Sequence, residues 1–376
     1  MAAYTTIDDP SAFFQTLTYT GNGSNPRNLT NDGNSDLKPD FIWTKNRTDS
    51  GTDHVVTNSS FGFDAPNATF EGGSGSDETL NGQLSPNSNA KQNNPAATYG
   101  YISGHLTDGF TAAAGGSNGD TMNANSKEFV AWQWKCNAGT TSTNTDGDIN
   151  STVQVNQDAG FSVVMYEPAN TTARNIGHGL GATPGLIIIR NRQRIENWKV
   201  WHQSMGAGGY SLDGAAAYNT STSTLINTVN STIFNVGTDF SVNGGFPYAA
   251  WCWVEKQGYS KFGKYIGNGV NNLGPFVYTG FKPRFIMIKS TTATGATYLW
   301  DSKRNPFNGA DDTVNAAESD AETSNAIMTI DILSNGFRVL NTGTNNGTNQ
   351  SGVSYIYMAW AENPFVTSTG TPTTAR

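Results

Sequence analysis

The chain has 376 residues, a length at which a single hydrophobic core usually gives way to two or more domains. Its formal net charge is −8 and no cluster of lysine and arginine stands out, which argues against a nucleic-acid partner. Two cysteines are too few for a disulfide framework, and no apolar run approaches the roughly eighteen residues of a membrane span, so we expect no membrane insertion. The amino-terminal sequence MAAYTTIDDPSAFF also lacks the features of a secretory signal.

The composition favours strands joined by tight turns. Charged residues make up 14% of the chain, aromatic residues reach 11%, and there are 42 glycines. Glycine and asparagine supply the positive φ that tight turns need, and aromatic and β-branched side chains suit a pleated sheet. The sequence therefore predicts an all-β protein.

The first predicted unit opens with an aromatic strand around Tyr19 that runs into a Gly-Asn-Gly turn. A second strand follows Pro39 in LKPDFIWTKNR and reaches the base Lys45 six residues later. The unit closes on the apolar strand EFVAWQWK, which carries Trp132. Between these strands lies a polar insertion, FEGGSGSDETLNGQLSPNSNAKQNNPAATYGYI, which we predict to be an exposed loop and a favourable place for binding.

The second unit follows residues 141–157, which lack aromatic side chains and are predicted to be a linker. Its first strand carries Tyr166, 18 residues before Pro184 in ATPGLIIIRNR. The base Arg190 again stands six residues after the proline, and the closing strand PYAAWCWV carries Trp251. The order of landmarks is that of the first unit.

The third unit repeats the order once more. KYIGNG carries Tyr265 and a second Gly-Asn-Gly, FKPRFIMIKST carries Pro283 and the base Lys289, and YIYMAWAE carries Trp360. A phenylalanine segment precedes each closing strand, at Phe110, Phe240 and Phe337. Five landmarks in one order, three times, indicate an internal repeat.

The repeat predicts three homologous β-sandwich or jelly-roll-like domains in tandem, because each unit has the size of a whole domain. The predicted boundaries are 1–140, 158–260 and 261–366, with the linker at 141–157 and a flexible tail at 367–376. Three like domains also suggest pseudo-threefold packing, which would require equivalent contacts between them. The structural landmarks of the repeat are Pro39, Pro184, Pro283, Trp132, Trp251, Trp360, Tyr19, Tyr166 and Tyr265.

Side chains shared by all units are more simply explained by packing than by a unique site. We expect the landmark tryptophans to be buried, although a row of stacking platforms for sugar rings is the alternative. The three recurrent bases Lys45, Arg190 and Lys289 have two interpretations. They line a common axis and bind an anion, or, as we favour, each ends a buried strand at the solvent boundary.

No metal site or catalytic residue is expected. The histidines His54, His105, His178 and His202 have no metal-ligand spacing, and no G-x-S-x-G sequence provides a nucleophile. NTDGDIN has the alternating oxygens of a calcium loop but lacks its glycine and glutamate, so a solvated loop is favoured. We interpret the acidic stretch around Asp311 to Glu322 in the same way. The cysteines Cys136 and Cys252 are predicted to be buried and inert.

Several of these strings resemble one group of phage proteins. YTGNG, KNR, DGF and VAWQW, and above all GYSKFGKYIGNG, PFVYTGFKPRFIMIKS, WDSKRNP and YIYMAWAENPF, resemble repeat-containing, tail-fibre-like virion proteins of tailed phages of marine bacteria. The resemblance runs from about Thr18 to Phe365, and it is most specific at the junction of the second and third units. It implies a structural virion component with no catalytic residues to carry over. The first unit departs from the pattern, since DHVVTNS replaces YLWDSKR.

The expected function is that of a non-enzymatic virion protein, assembled in the host cytoplasm, that attaches the particle to the host through loops on its β scaffold. The expected partners are other virion proteins, further copies of the chain, and a host cell-surface glycan or receptor. No cofactor is expected. A capsid decoration or head-fibre protein is the first alternative. A polysaccharide depolymerase is the second, since paired carboxylates need only meet in space.

Overall fold

The computed structural model describes residues 3–61, 83–92, 96–116, 121–221, 224–324, 328–340 and 347–373. It confirms the all-β class. The helical elements among these residues are the 3-10 turns Pro10–Ala12 and Ser59–Phe61 and one four-residue helical turn, Ala96–Tyr99. Much of the polar insertion predicted in the first unit lies outside the described residues. For the structure, we call residues 1–140 the first segment, 141–259, which include the predicted linker, the second segment, and 260–366 the third segment.

Two antiparallel sheets form the first segment. Its strands are β1 (Phe14–Thr20), β2 (Arg27–Leu29), β3 (Phe41–Asn46), β4 (Val55–Asn58), β5 (Gln83–Leu84), β6 (Tyr101–His105), β7 (Phe110–Ala113) and β8 (Glu128–Trp134). The large sheet has the order β1-β8-β3-β4-β5, and the small sheet has the order β2-β7-β6. The closing strand β8 therefore lies between the opening strand and the strand after Pro39.

The second segment has the same plan with one extension. Its strands are β9 (Ser142–Asn144), β10 (Ser151–Asn156), β11 (Phe161–Tyr166), β12 (Arg174–Gly177), β13 (Leu186–Asn191), β14 (Lys199–His202), β15 (Tyr210–Ser211), β16 (Ile226–Val229), β17 (Ile233–Val236) and β18 (Tyr248–Trp253). The large sheet has the order β15-β14-β13-β18-β11-β10-β9, and the small sheet β12-β17-β16. The predicted linker thus supplies β9 and β10, which extend the large sheet at one edge.

The third segment repeats the plan again. Its strands are β19 (Ser260–Ile266), β20 (Phe276–Tyr278), β21 (Phe281–Ser290), β22 (Thr297–Asp301), β23 (Asp312–Asn315), β24 (Thr323–Ser324), β25 (Ile330–Leu333), β26 (Gly336–Val339) and β27 (Ser354–Pro364). The large sheet has the order β19-β27-β21-β22-β23-β24, and the small sheet β20-β26-β25. In all three segments the closing strand therefore lies between the opening strand, which carries the landmark tyrosine, and the strand at the landmark proline.

Both faces of the large sheets pack against buried apolar residues. In the second segment the alternation of β13 directs Ile187 and Ile189 towards Phe234 of the small sheet, whereas Leu186 and Ile188 belong to a cluster that contains residues of all three segments. This shared cluster is the largest in the described chain. The predicted tandem of separate sandwiches stays a prediction, because the main core does not divide at the predicted domain boundaries.

The pairing register corrects the sequence alignment of the closing strands. Phe41 pairs with Trp134, Leu186 with Trp253, and Phe285 with Trp360, and each first partner stands two residues after its landmark proline. Trp360 is therefore level with Trp134 and Trp253, and not with Trp132 and Trp251 as the shared Ala-Trp dipeptide suggests. All five indoles are buried.

The landmark tyrosines have equivalent surroundings. Each ring stacks on the aromatic residue opposite in the closing strand, with centroids 5.0 to 5.1 Å apart. Each hydroxyl donates to a main-chain carbonyl: Tyr19 to Met122 at 2.6 Å, Tyr166 to Val242 at 2.8 Å, and Tyr265 to Thr348 at 2.7 Å. The hydroxyl thus ties the opening strand to the chain that enters the closing strand.

The repeated Gly-Asn-Gly has the same role twice. Gly23 donates to Asn123 O and Gly269 to Asn349 O, both at 2.9 Å, and both glycines have a positive φ of about 70°. A side chain is strained in that left-handed region, which explains glycine at this place.

The phenylalanine landmark of the second segment, in contrast, was assigned wrongly. Buried Phe234 of β17 lies where Phe110 and Phe337 lie, and Phe240 is outside the strands and exposed.

Candidate functional site

The three segments contact one another through equivalent pairs of main-chain hydrogen bonds. In each contact, the carbonyl of the residue eight positions after the landmark proline accepts a hydrogen bond from the N–H of a residue in a neighbouring segment, which we call the facing residue. The N–H of the residue twelve positions after the same proline donates to the carbonyl of the residue three positions before the facing residue. The first bond joins Glu322 to Arg47 at 3.0 Å, Gln92 to Arg192 at 2.8 Å, and Tyr218 to Thr291 at 3.1 Å. The second joins Gly51 to Ser319 at 2.9 Å, Glu196 to Asn89 at 3.1 Å, and Gly295 to Ala215 at 2.8 Å.

These contacts follow a closed cycle. The first segment contacts the third, the third contacts the second, and the second contacts the first, each with the same offsets from its proline. Such a cycle is what pseudo-threefold packing requires, and a string of independent domains would not produce it. The carboxyl- and amino-terminal parts of the chain also meet, since Ser368 N donates to Asp8 at 2.6 Å.

The recurrent bases lie in these contacts. Lys45 donates to Ser319 O at 3.2 Å, Arg190 to Asn89 O at 2.8 Å, and Lys289 to Gly214 O at 3.3 Å. All three side chains are fully buried. Neither sequence interpretation therefore holds, because the bases neither line an open axis nor reach the solvent boundary, but bind carbonyl groups of the next segment.

Burial changes the acidity of the three bases. It lowers the pKa of Lys45 and of Lys289 to about 8 and that of Arg190 to about 10. Carbonyl oxygens replace the lost water, since each buried cation needs several acceptors. In addition to its contact across the segments, Lys45 donates to Thr52 O at 2.7 Å. The bases are accordingly fixed parts of the scaffold.

A buried ion cluster reinforces the contact between the first and third segments. Asp301 and Arg304 have fully buried side chains and approach to 2.6 Å, and Glu322 joins Arg304 to Arg47, each at 2.6 Å. Asp301 also accepts the indole N–H of Trp132 at 3.0 Å. Burial raises the pKa of Asp301, but the charge of Arg304 and the hydrogen bonds from Arg304 and Trp132 together outweigh burial, so the pKa is lowered. The WDSKR string thus has a structural role.

The acidic stretch and the histidines do not form a metal site among the described residues. No group of three potential ligands is found there. Burial lowers the pKa of all four histidines, to about 4 for His105 and His202. Each imidazole contacts a main-chain carbonyl: His54 that of Asn315 at 3.0 Å, His105 that of Pro39 at 2.6 Å, His178 that of Asn230 at 3.1 Å, and His202 that of Tyr357 at 3.3 Å.

The two cysteines are buried and free, as predicted. Burial raises the pKa of the Cys136 thiol well above 9, and that of Cys252 as well. Cys136 Sγ contacts Gln154 O at 2.9 Å. A thiol in this state is a poor nucleophile.

A polar cleft lies beside Cys136, where the predicted linker joins the sheet of the second segment. Its volume is about 760 Å³. The lining side chains that are exposed are mostly hydroxyls and amides: Asn137, Thr140, Thr141, Ser142, Thr143 and Gln157. Asp158 supplies one carboxylate, and no aromatic ring lines the cleft. Such a surface offers many hydrogen-bond donors and acceptors with little charge.

The NTDGDIN loop is held by hydrogen bonds within the loop and to strand β12. Asn144 Nδ2 donates to Asp146 at 2.9 Å, and Asp148 accepts the N–H of Asn175 at 2.8 Å. Sequence reasoning identified the loop but missed the cleft, because its hydroxyl residues were assigned to an unstructured linker. The alternation of Val153 and Val155 with polar residues was the signal for a strand.

Comparison with known proteins places the chain in one family. Residues 9–364 match the family described as Domain of unknown function (DUF7483), and the chain belongs to that family. The match spans all three segments without a break, in keeping with their shared core. No curated protein and no solved structure matches the chain. Among the described residues no helix is long and apolar enough to cross a membrane.

Proposed function

We propose that this chain is a non-enzymatic structural protein of a tailed-phage virion, placed in the tail or tail fibre, which attaches the particle to the host surface. The resemblance of its motifs to tail-fibre-like proteins supports this proposal. So does the role of its ionisable side chains, since the buried bases and histidines are bound to main-chain carbonyls of the scaffold. Other virion proteins and further copies of the chain are the proposed partners within the particle.

The observation that carries the attachment role is the polar cleft on the edge of the seven-stranded sheet. Hydroxyl and amide side chains bind sugar hydroxyls at a small desolvation cost, because they lose little hydration compared with charged groups. Pairing of β10 with β9 and with β11 holds the strands that line the cleft, so the cleft has a defined shape. Binding then costs mainly the entropy of the ligand, because the cleft does not have to be ordered first. The proposed ligand is a neutral segment of a host-surface glycan.

The position in the particle is tested with gold-labelled antibody on intact virions. Decoration of the tail or its tip is expected, and even coverage of the capsid would contradict the tail assignment. Attachment is tested by binding of the purified chain to host-surface polysaccharide. Ser142→Trp fills the cleft and should abolish binding, whereas Thr220→Trp changes an exposed hydroxyl of the same segment outside the cleft and should not. Equal binding by both variants would remove the cleft from the proposal.

An assembly role is the second candidate, and a different observation favours it. Strand β20 of the third segment is an exposed, apolar sheet edge, as expected for a surface that becomes buried on assembly. Capsid coverage in the labelling experiment would support a decoration or head-fibre protein. Shortened chains after incubation with the polysaccharide would instead support a depolymerase, and intact chains would remove that alternative.

A further inference from the structure

Most of the exposed large apolar side chains of the third segment lie in one short stretch of the chain. Five of the nine large apolar residues that are exposed in the described chain lie within residues 266–278: Ile266, Val270, Leu273, Phe276 and Tyr278. They occupy the end of β19, the edge strand β20 and the connection between these strands. Exposed apolar residues that are grouped in this way usually mark an interaction surface, whereas scattered ones need no explanation.

The other two segments show that the fold does not require these residues. The tyrosine register places Ile266 level with Thr20 and Glu167. The small-sheet register places Phe276 level with Asn28 and Asn175, since Val277, Leu29 and Ile176 each pair with a buried phenylalanine. The same scaffold is thus built twice with polar residues where the third segment has apolar ones.

The small-sheet edges also differ in how they are covered. In the second segment the edge strand β12 is capped by the chain itself. Asp148 N donates to Asn175 O at 2.9 Å, Asn175 N donates to Asp148 Oδ2 at 2.8 Å, and Ile149 forms a parallel bridge with Ile176. In the first segment the edge is polar and follows Pro26, two features that discourage pairing. The second segment thus shows that the outward main-chain groups at this edge of the small sheet can pair with another part of the chain.

Strand β20 has neither form of protection. Pro275 O and Thr279 N bond to the β26 side, which directs the N–H and C=O groups of Phe276 and Tyr278 outwards. No described residue bonds to these four groups. Tyr4 meets Tyr278 at its hydroxyl, with 3.3 Å between the two hydroxyl oxygens. The edge therefore combines open main-chain groups with exposed aromatic side chains.

We propose that β20 is a dimerisation edge that binds β20 of a second copy of this chain. Antiparallel pairing about a twofold axis at Val277 sets Phe276 opposite Tyr278 of the partner subunit, and the outward groups of both then form four hydrogen bonds. The two three-stranded sheets become one six-stranded sheet. A second copy is the occupant because its strand supplies both the matching open groups and the apolar side chains that cover Phe276, and cross-strand aromatic pairs are favourable.

The test is the mass of the purified full chain in solution, measured by sedimentation equilibrium across micromolar concentrations. The wild-type chain should be a dimer. The double substitution Phe276→Asn and Ile266→Thr introduces the residues that the first segment carries at the equivalent positions. It should raise the dissociation constant of the dimer on the order of a hundredfold. Phe307→Asn removes an even more exposed ring outside β20 and should leave the dimer unchanged. A wild-type monomer, or a dimer that tolerates the double substitution, would overturn the proposal.

A second pair of variants separates strand pairing from general apolar contact. Tyr278→Pro removes both the ring and an outward N–H, whereas Tyr278→Ala removes the ring alone. Pairing predicts that the proline variant dimerises much more weakly than the alanine variant, with unchanged circular dichroism. Equal dimerisation of the two variants would overturn the proposed pairing, as would a mass above that of two copies. The outcome concerns the purified chain and does not depend on the proposed attachment role.

Discussion

The indole of Trp134 meets that of Trp360 at a centroid distance of 5.3 Å and an interplanar angle of 76°. Trp253 completes the group, at 6.0 Å from Trp134 and 5.7 Å from Trp360. One tryptophan comes from each segment, and the strand register places all three at the same level. Near-perpendicular pairs are a favoured arrangement of aromatic rings. The three segments therefore share one aromatic centre.

Truncation of a central indole should destabilise the whole chain. We expect Trp360→Ala to lower the free energy of unfolding by about 3–5 kcal/mol, because the cavity opens where three sheets meet. Denaturant unfolding should show one transition, with tryptophan fluorescence and far-UV circular dichroism coincident. Phe307→Ala, at an exposed ring, should change stability by less than about 0.5 kcal/mol. A variant that loses only a third of its structure in a separate transition would contradict the shared core.

Neutralising one member of the buried ion cluster should be costly. Asp301→Asn leaves Arg304 buried with one carboxylate fewer, and we expect a loss of about 3–5 kcal/mol in the free energy of unfolding. Asp32→Asn breaks a pair with Lys303 at the surface, where the loss should stay below about 1 kcal/mol. Urea denaturation of both variants provides the comparison. Similar losses would show that burial of the pair has no energetic role.

Both thiols should be unreactive in the native chain. The pKa of Cys136 lies well above 9 because of burial and of nearby Asp40, so little thiolate forms at pH 8. We expect no reaction with a thiol reagent before denaturation and two reacting thiols per chain afterwards. Ser142→Cys, at an exposed position, is the positive control and should react at once. Rapid labelling of the native wild-type chain would contradict the burial of both sites.

Strand identity could be predicted from the sequence, because a landmark of fixed type recurs at fixed spacing. The tyrosine and proline landmarks, which are Tyr19 and Pro39 in the first segment, locate the two strands that flank the closing strand in all three segments. The register of Trp360 was missed, since the Ala-Trp dipeptide recurs two residues out of step in the third closing strand. A short sequence motif identifies a strand, but the pairing register of that strand is set by the strand beside it.

The contacts between segments were beyond prediction for a different reason. Glu322 reaches Arg47, and Tyr218 reaches Thr291, through main-chain N–H and C=O groups that every residue possesses. No residue type marks such a bond. Lys45 was noticed as a recurrent base, but its acceptor, Ser319 O, comes from a distant part of the sequence. The cleft was missed because short polar strands at a sheet edge resemble a linker in composition.

Acid should destabilise the chain through its buried histidines. An unfolded histidine takes up a proton near pH 6.5, whereas folded His105 and His202 do so only near pH 4. The unfolded state therefore binds more protons between these values, and stability falls as the pH is lowered through this window. Each of the two contributes up to about 3 kcal/mol of this loss.

His202→Gln keeps an amide donor for Tyr357 O and cannot take up the proton. The difference in unfolding free energy between pH 7 and pH 4 should thus be smaller for this variant than for the wild type, by up to about 3 kcal/mol. Parallel pH profiles for the two proteins would show that His202 is already protonated, or exposed, in the folded chain.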